Sequence, residues 1–582
     1  MNEFVREIAV RIARETGIAE GEAEHLTEVP KDPRLGDYAF PCFALAGRLR
    51  QAPAAIAKEL AAKLGAGEQG GEATAPRPPL FRAIEAVGPY VNFRVAPAAF
   101  ARAVLSAVRE QGDHFGAQAT GRGATVVVDY SSPNIAKRFH VGHLRSTMIG
   151  AAICRLYEML GYKVVRVNHL GDWGTQFGHL LSAWTKWGEE ERLSAGGDPI
   201  GYLQELYVRH NQEAKADARL EDEARRWFKK LEDGDPLARS LWQRFRDISL
   251  AEFERIYELL GVRFDSYAGE SFYEDKMPAA IRLCEEKGVA ETGEGGALIV
   301  DFKRHGVDLP TVVLRKSDGA TVYITRDVAA LLYRFETYDP ARVIYVHGAP
   351  QRDHFQQLFA IIKLLGLPSE RCAFAPFGHV LGMSTREGTA ILLDEVLGRA
   401  ISLAREEVLK RDPEANDAEV ERTARAVGVG AVIFADLKNK RTKNIEFDWE
   451  RLVRFDGETG PYLQYTHARL AAILRNLAEL GVEVRAEVDF SLLTEPETLA
   501  VLRAIEAFPR KIELAARELE PSLVSQHLLD LASALNAFYQ KHRVKDAPTP
   551  ELRAARALLV EATRRVLAIG LRLLGIAAPD KM

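Results

Sequence analysis

The chain has 582 residues, 47% of them apolar and 27% charged, which supplies more than one buried core and excludes a disordered polyelectrolyte. A formal net charge of -5 excludes a protein drawn to nucleic acid by its overall field, so any such partner must be met by local basic patches. Four cysteines (Cys42, Cys154, Cys284, Cys372) with no CxxC spacing exclude a disulfide framework and a thiolate zinc site, and predict a reduced, cytoplasmic protein.

The opening MNEFVREIAVRIARETG sets apolar residues at helical spacing among acids that a targeting peptide would avoid, so it is expected to belong to the fold. No apolar run approaches the roughly 18 residues that cross a bilayer, and no membrane partner is expected. Residues 1–112 read as an N-terminal α+β domain, with helices at both ends, a Pro/Gly-rich break at GAGEQGGEATAPRPP and a strand over AVGPYVNFRV.

Next comes ATVVVDY, a β-branched run suited to a strand buried on both faces of a parallel sheet. The cluster SSPNIAKRFHVGH follows and opens a helix whose stripe is Val141, Leu144, Met148, Ala152 and Leu156. Gly161 closes that helix and KVVRVN resumes a strand. The β–loop–α–β order predicts a doubly wound, Rossmann-type parallel sheet over residues 123–400, with ligands bound where the cluster lies. A charged helical stretch at about 183–280 reads as an insertion, RVIYVHG and CAFAPFGHV as further strands, and 401–454 as a connecting segment. Residues 455–582 are amphipathic throughout and predict a C-terminal α-helical bundle.

Three readings compete for His140 and His143. A zinc site lacks the HExxH glutamate and a third ligand, and no zinc is expected. Plain helix capping leaves Lys137, Gly142 and the position after a buried strand unexplained. Phosphate chemistry accounts for all three: unpaired N–H groups at a helix start favour an anion, imidazoles add donors, and Gly142 clears space for a nucleotide.

HVGH resembles the "HIGH" signature of class I aminoacyl-tRNA synthetases, and HVLGMSTREGT resembles their second signature. A large editing insertion and cysteine-bound zinc, features of several members of the class, are absent from the sequence. VDYSSPNIAKRFHVGHLRSTMIG, NHLGDWGTQFG, TVYITRDVAA, GETGPYLQYTHAR and the terminal PDKM together resemble the arginyl-tRNA synthetases over essentially the whole chain.

That resemblance implies an arginine–tRNA ligase using ATP with Mg²⁺ and passing through arginyl-adenylate, with activation waiting for tRNA. It implies ATP binding by His140, Gly142, His143, Met383, Ser384 and Thr385. Asp327 and Tyr323 would receive the guanidinium, with Asp129 adding negative charge, and Asn134 and Gln351 would hold the α-amino end, with His140 beside the amino acid. Taken singly, Asp327 beside Arg326 reads as an ion pair, Tyr323 as a strand aromatic and Gln351 as a polar residue opening a helix; the family register moves them to the pocket. The second signature offers one cation, Arg386, where the class has two lysines, so Lys137 is expected to supply the missing ammonium. Residues 1–112 would meet the tRNA elbow and the bundle its anticodon, with Lys440, Arg441 and Tyr539 as contacts and a monomer as the working form. A small-molecule nucleotidylyltransferase and a catalytically silent tRNA-binding relative are the alternatives; the bundle counts against the first and the intact histidine pair against the second.

Overall fold

The computed structural model describes residues 3–30, 32–69, 80–194, 197–381, 391–411, 413–446, 449–485 and 487–582, and they form two units. The first comprises residues 1–115, 469–508 and 529–569. Its sheet has the order β1 (Tyr38–Pro41), β3 (Tyr90–Val95), β2 (Phe81–Val87), antiparallel throughout. The stretch AVGPYVNFRV is therefore not one strand. Val87 pairs with Tyr90 across a two-residue connection, and Gly88, at φ 58, supplies the positive φ that such a hairpin needs. Helices Glu3–Thr16 and Pro53–Gln69 lay Phe4, Ile8, Ile12, Ile56 and Leu60 on Phe40, Phe81, Val91 and Phe93. Each such side chain contributes about 1.5–3 kcal/mol by leaving water. C-terminal segments complete the unit: Phe115 stacks on Phe508 at 6.4 Å, and Arg503 Nη2 lies 3.2 Å from Asp37 Oδ1.

The second unit comprises residues 116–468, 509–528 and 570–582. Its parallel sheet runs β10 (Cys372–Phe374), β9 (Arg342–Tyr345), β4 (Thr125–Asp129), β5 (Lys163–Val167). The chain leaves β4 for β5 on one side and returns as β9 on the other, so the crevice for a ligand opens between β4 and β9. Val127, Val165 and Val343 pack on Val328 and Leu331 of helix Tyr323–Tyr338 and on Leu358 and Ile361 of helix Arg352–Leu364. Helix Val141–Met159 makes the crossover from β4 to β5. It lies so close that a Cβ on Gly150 would fall 2.3 Å from Cγ of Tyr130, so even alanine there would push the helix off the sheet.

The helical stretch expected at 183–280 begins earlier, at Thr175, and closes at Glu286; the small antiparallel sheet β6 (Glu291–Thr292), β7 (Leu298–Val300), β8 (Val312–Arg315) follows it. The segment expected to connect, 401–454, is largely two long helices, Leu393–Arg411 and Asp417–Leu437, followed by β12 (Ile445–Glu446), which pairs with β11 (Val380–Leu381). Beyond 455 the helices Gly460–Glu479, Pro496–Arg517, Ser522–Lys541 and Pro550–Leu574 follow in order. Among the described residues no helix is long and apolar enough to cross a membrane.

Candidate active site

The cluster after β4 is a strained loop. Ser131, Ser132 and Ala136 all have left-handed backbone, at φ 70, 49 and 57, a conformation that costs each non-glycine residue about 1–3 kcal/mol. Hydrogen bonds hold it there. Ser131 N–H donates to Ser146 Oγ at 2.9 Å, Ser132 N–H to Asn168 Oδ1 at 3.2 Å, and Ala136 N–H to Ser249 Oγ at 2.8 Å. Asn134 makes a β-bridge to Gly171, which brings NHLGDWG alongside.

His140 caps helix Val141–Met159, its Nδ1 accepting the Gly142 N–H at 3.1 Å, while its own N–H donates to His143 Nδ1 at 3.2 Å. With Nδ1 an acceptor in both rings, the ring proton of each sits on Nε2, which leaves two ring donors. Burial, then the Lys137 charge, hold His140 below its ordinary value; burial, then the His140 ring, push His143 down to about 3. Both are neutral N–H donors at working pH.

The helix start itself differs from expectation. Val141 N–H donates to Ile391 O at 3.1 Å and His143 N–H to His140 O at 2.9 Å, and with Gly142 bonded to His140 no amide at 141–143 waits for an anion. The donors that remain at this helix start are the ring Nε2–H groups of His140 and His143. Gly142 has a local reason as well: a Cβ there would lie 2.8 Å from His140 Cε1. Lys137 is exposed beside this pair.

Asp129, at the end of β4, is 3% exposed and already paired, its Oδ2 accepting from Arg334 Nη2 at 2.6 Å and its Oδ1 from Ser132 Oγ at 3.0 Å. Burial opposes its ionisation, but Arg334 and then His347 hold it well below the ordinary carboxylate range. The carboxylate expected to add negative charge for a guanidinium thus has an internal arginine, 205 residues away in sequence, as its partner.

Asp327 is differently placed. Its Oδ2 lies 2.6 Å from His354 Nε2 and its Oδ1 4.0 Å from His169 Nε2, and the side chain keeps 27% exposure. Burial raises its carboxyl, yet the His354 hydrogen bond and charge leave it lowered overall, hence ionised. Nearby is an acid that sequence reasoning missed. Glu270 accepts the Trp173 N–H at 3.3 Å, and burial, helped by Asp327 and Asp172 and opposed by Arg326, pushes it up to about 7. The motif GDWG builds this spot: buried Asp172 accepts Ser271 N–H at 2.8 Å and Ser271 Oγ at 2.9 Å, and Glu270 N–H donates to Leu170 O at 2.9 Å. Nothing in the spacing of GESFYED marks Glu270; only its partners do.

Tyr323 opens its helix with 67% exposure, and Gln351 is exposed where helix Arg352–Leu364 begins, so neither is enclosed without a ligand. Met383, Ser384, Thr385 and Arg386 lie outside the described residues. Arg441, expected as a tRNA contact, donates from Nη1 to Pro376 O at 2.7 Å and from Nε to Leu519 O at 3.0 Å. Lys440 is exposed, and Tyr539 carries the Arg469 guanidinium 4.5 Å from its ring centre.

A parallel sheet whose switch crevice carries two histidines at a helix start is consistent with a class I aminoacyl-tRNA synthetase. The family model described as "tRNA synthetases class I (R), catalytic domain" matches residues 104–449, so the chain has a class I aminoacyl-tRNA synthetase core. Models described as "Arginyl tRNA synthetase N terminal domain" and "DALR anticodon binding domain" match residues 3–95 and 463–582. The chain is 46% identical to the arginine–tRNA ligase of Clostridioides difficile over 97% of both chains, and 43% identical to that of Clostridium perfringens over 100% of both. Thermus thermophilus arginyl-tRNA synthetase shares the fold at a TM-score of 0.78 and 27% identity, covering 100% of both chains. The chain belongs to the arginyl-tRNA synthetase family.

Proposed function

We propose that this chain is an arginine–tRNA ligase acting at the β4/β9 crevice in two steps. The carboxylate of L-arginine attacks the α-phosphorus of ATP, the bond to the pyrophosphate oxygen breaks, and arginyl-adenylate forms. A hydroxyl of the terminal tRNA ribose then attacks the arginyl carbonyl carbon and expels AMP. Its proton leaves with the phosphate or to solvent. ATP enters as its Mg²⁺ complex.

The observation that carries the arginine assignment is an ionised Asp327 with a second acid, Glu270, close enough to feel its charge. A guanidinium needs planar, acceptor-rich partners, and two carboxylates at one site meet that need where a neutral side chain would leave them unmatched. Asp327, Glu270 and Tyr323 take the guanidinium; Asn134, Gln351 and His140 orient the α-amino end. His140 and His143 donate through Nε2 to the α-phosphate as charge develops. Lys137 and Arg386 neutralise the departing pyrophosphate, with Gly142, Met383, Ser384 and Thr385 along the nucleotide. Lys440 and Tyr539 meet tRNA, and the enzyme works as a cytoplasmic monomer.

Citrulline, arginine's uncharged near-isostere, tests the site. Arginine should drive exchange of labelled pyrophosphate into ATP in the presence of tRNA, and citrulline should not. Equal exchange with both would contradict the assignment.

A further inference from the structure

Residues on both sides of 382–390 are fastened to the element that carries His140 and His143. On the far side, Leu392 forms a β-bridge with His140, Leu393 N–H donates to Phe139 O at 2.9 Å, and Val141 N–H donates to Ile391 O. On the near side the link is one side chain. Arg145, two residues beyond His143 and 1% exposed, donates from Nη1 to Gly378 O and to Lys443 O, each at 2.7 Å, and from Nε to Asp436 Oδ1 at 2.9 Å. Gly378 begins the approach to β11, and Lys443 the approach to β12. The two segments run so close that a Cβ on Gly378 would lie 2.6 Å from the Lys443 carbonyl carbon.

A buried ion pair is an expensive way to fill space, since apolar residues of the same volume often serve stability as well or better. Here burial pushes Asp436 toward protonation and Arg145 opposes it. What the guanidinium supplies that an apolar residue could not is direction: its rigid fork reaches three acceptors on three separate segments, a task for which the single ammonium of lysine has the wrong shape. The second of the two signature stretches, HVLGMSTREGT, begins at His379, and β11 (Val380–Leu381) is its opening part.

We propose that Arg145 is a positioning residue for adenylate formation, setting β11 in register with the helix that bears His140 and His143. The proposal rests on the ligase reading above. A misplacement on the order of 1 Å is enough to lower a rate about 10²-fold without touching the chemistry.

The test is single-turnover adenylate formation with tRNA present, on Arg145→Lys and Asp436→Asn, with the rate expressed per active site by titration and Tm measured alongside. Arg145→Lys should lower that rate about 30-fold or more while the arginine KM stays within about twofold. Asp436→Asn, which leaves both carbonyl bonds available, should fall less. A residue that merely stabilises the fold would reduce Tm and the fraction of active sites but leave the rate per site within about threefold of the parent, and that result overturns the proposal. Should Arg145→Lys not accumulate, the Asp436→Asn rate decides alone: about fivefold slower supports the proposal and an unchanged rate overturns it. A parent that forms no arginyl-adenylate would defeat the ligase reading itself, visibly and before any variant is compared.

Discussion

Asp327→Asn keeps the shape of the side chain and removes its charge, which isolates what the pocket does for a guanidinium. Among the described residues the carboxylate has one hydrogen-bond partner, His354 Nε2 at 2.6 Å, with His169 Nε2 4.0 Å away, and 27% of the side chain still meets solvent. That exposure sets the scale. Breaking a fully buried pair costs about 3–5 kcal/mol, but a charge-assisted hydrogen bond at a partly wet site is worth about 1.5–3 kcal/mol. Glu270 remains to hold part of the cation, yet the amide offers one acceptor and turns donors toward donors, so the upper part of the lower range applies, about 2–3 kcal/mol. At 1.36 kcal/mol per decade this lowers kcat/KM for arginine about 30- to 160-fold. The assay is steady-state pyrophosphate exchange with tRNA present, with Tm as a control for folding. A kcat/KM within about threefold of the parent, with citrulline still rejected, would refute the assignment of Asp327.

Three further predictions use the same exchange assay or its tRNA-binding counterpart. Lys137→Ala should lower the rate of adenylate formation about 10²- to 10³-fold, the loss of one preorganised electrostatic group, with arginine binding unchanged; a rate within about threefold would make Lys137 an ordinary solvated lysine. Glu270, raised from 4.5 to about 7, holds in the folded state a proton that the unfolded chain releases, so its stabilising share is complete below about 4.5 and is lost as pH rises through about 7. Arginine binding works in the opposite sense, since a guanidinium favours the ionised acid: the arginine KM should fall as pH rises from 6 to 8 (about one decade either side of that value), and Glu270→Gln should flatten the profile. Lys440→Ala should make the salt dependence of tRNA binding shallower by about 0.7–0.9 in log–log slope, whereas Arg441→Ala should lower Tm and leave that slope alone.

What the sequence could reveal was whatever repeats along the chain or sits within a few residues. The β-branched run before Asp129, the stripe of helix Val141–Met159 and the HVGH cluster all lie where local pattern placed them, because period and burial act over short spans. The pocket is another matter. Asp129 is matched by Arg334, and Glu270 owes its raised value to burial and to the charges of Asp327 and Asp172; no pattern along the chain encodes a charge balance set by packing. The amides at 141–143 looked free because helix starts usually leave them so, and only the fold brings Ile391 to one of them. AVGPYVNFRV read as a single strand because apolar alternation continues through Gly88–Pro89, where the chain in fact reverses. Arg441 looked like a surface cation within KNKRTKN until Pro376 and Leu519 claimed it.

The central claim is that the crevice between β4 and β9 activates arginine and nothing else. Exchange of labelled pyrophosphate into ATP, run with each of the standard amino acids in turn, with and without tRNA, tests it most directly. Exchange with arginine alone, and only when tRNA is present, is the predicted result. Strong exchange with any other amino acid would contradict the assigned pocket, and strong exchange with arginine in the rigorous absence of tRNA would contradict the dependence of activation on tRNA.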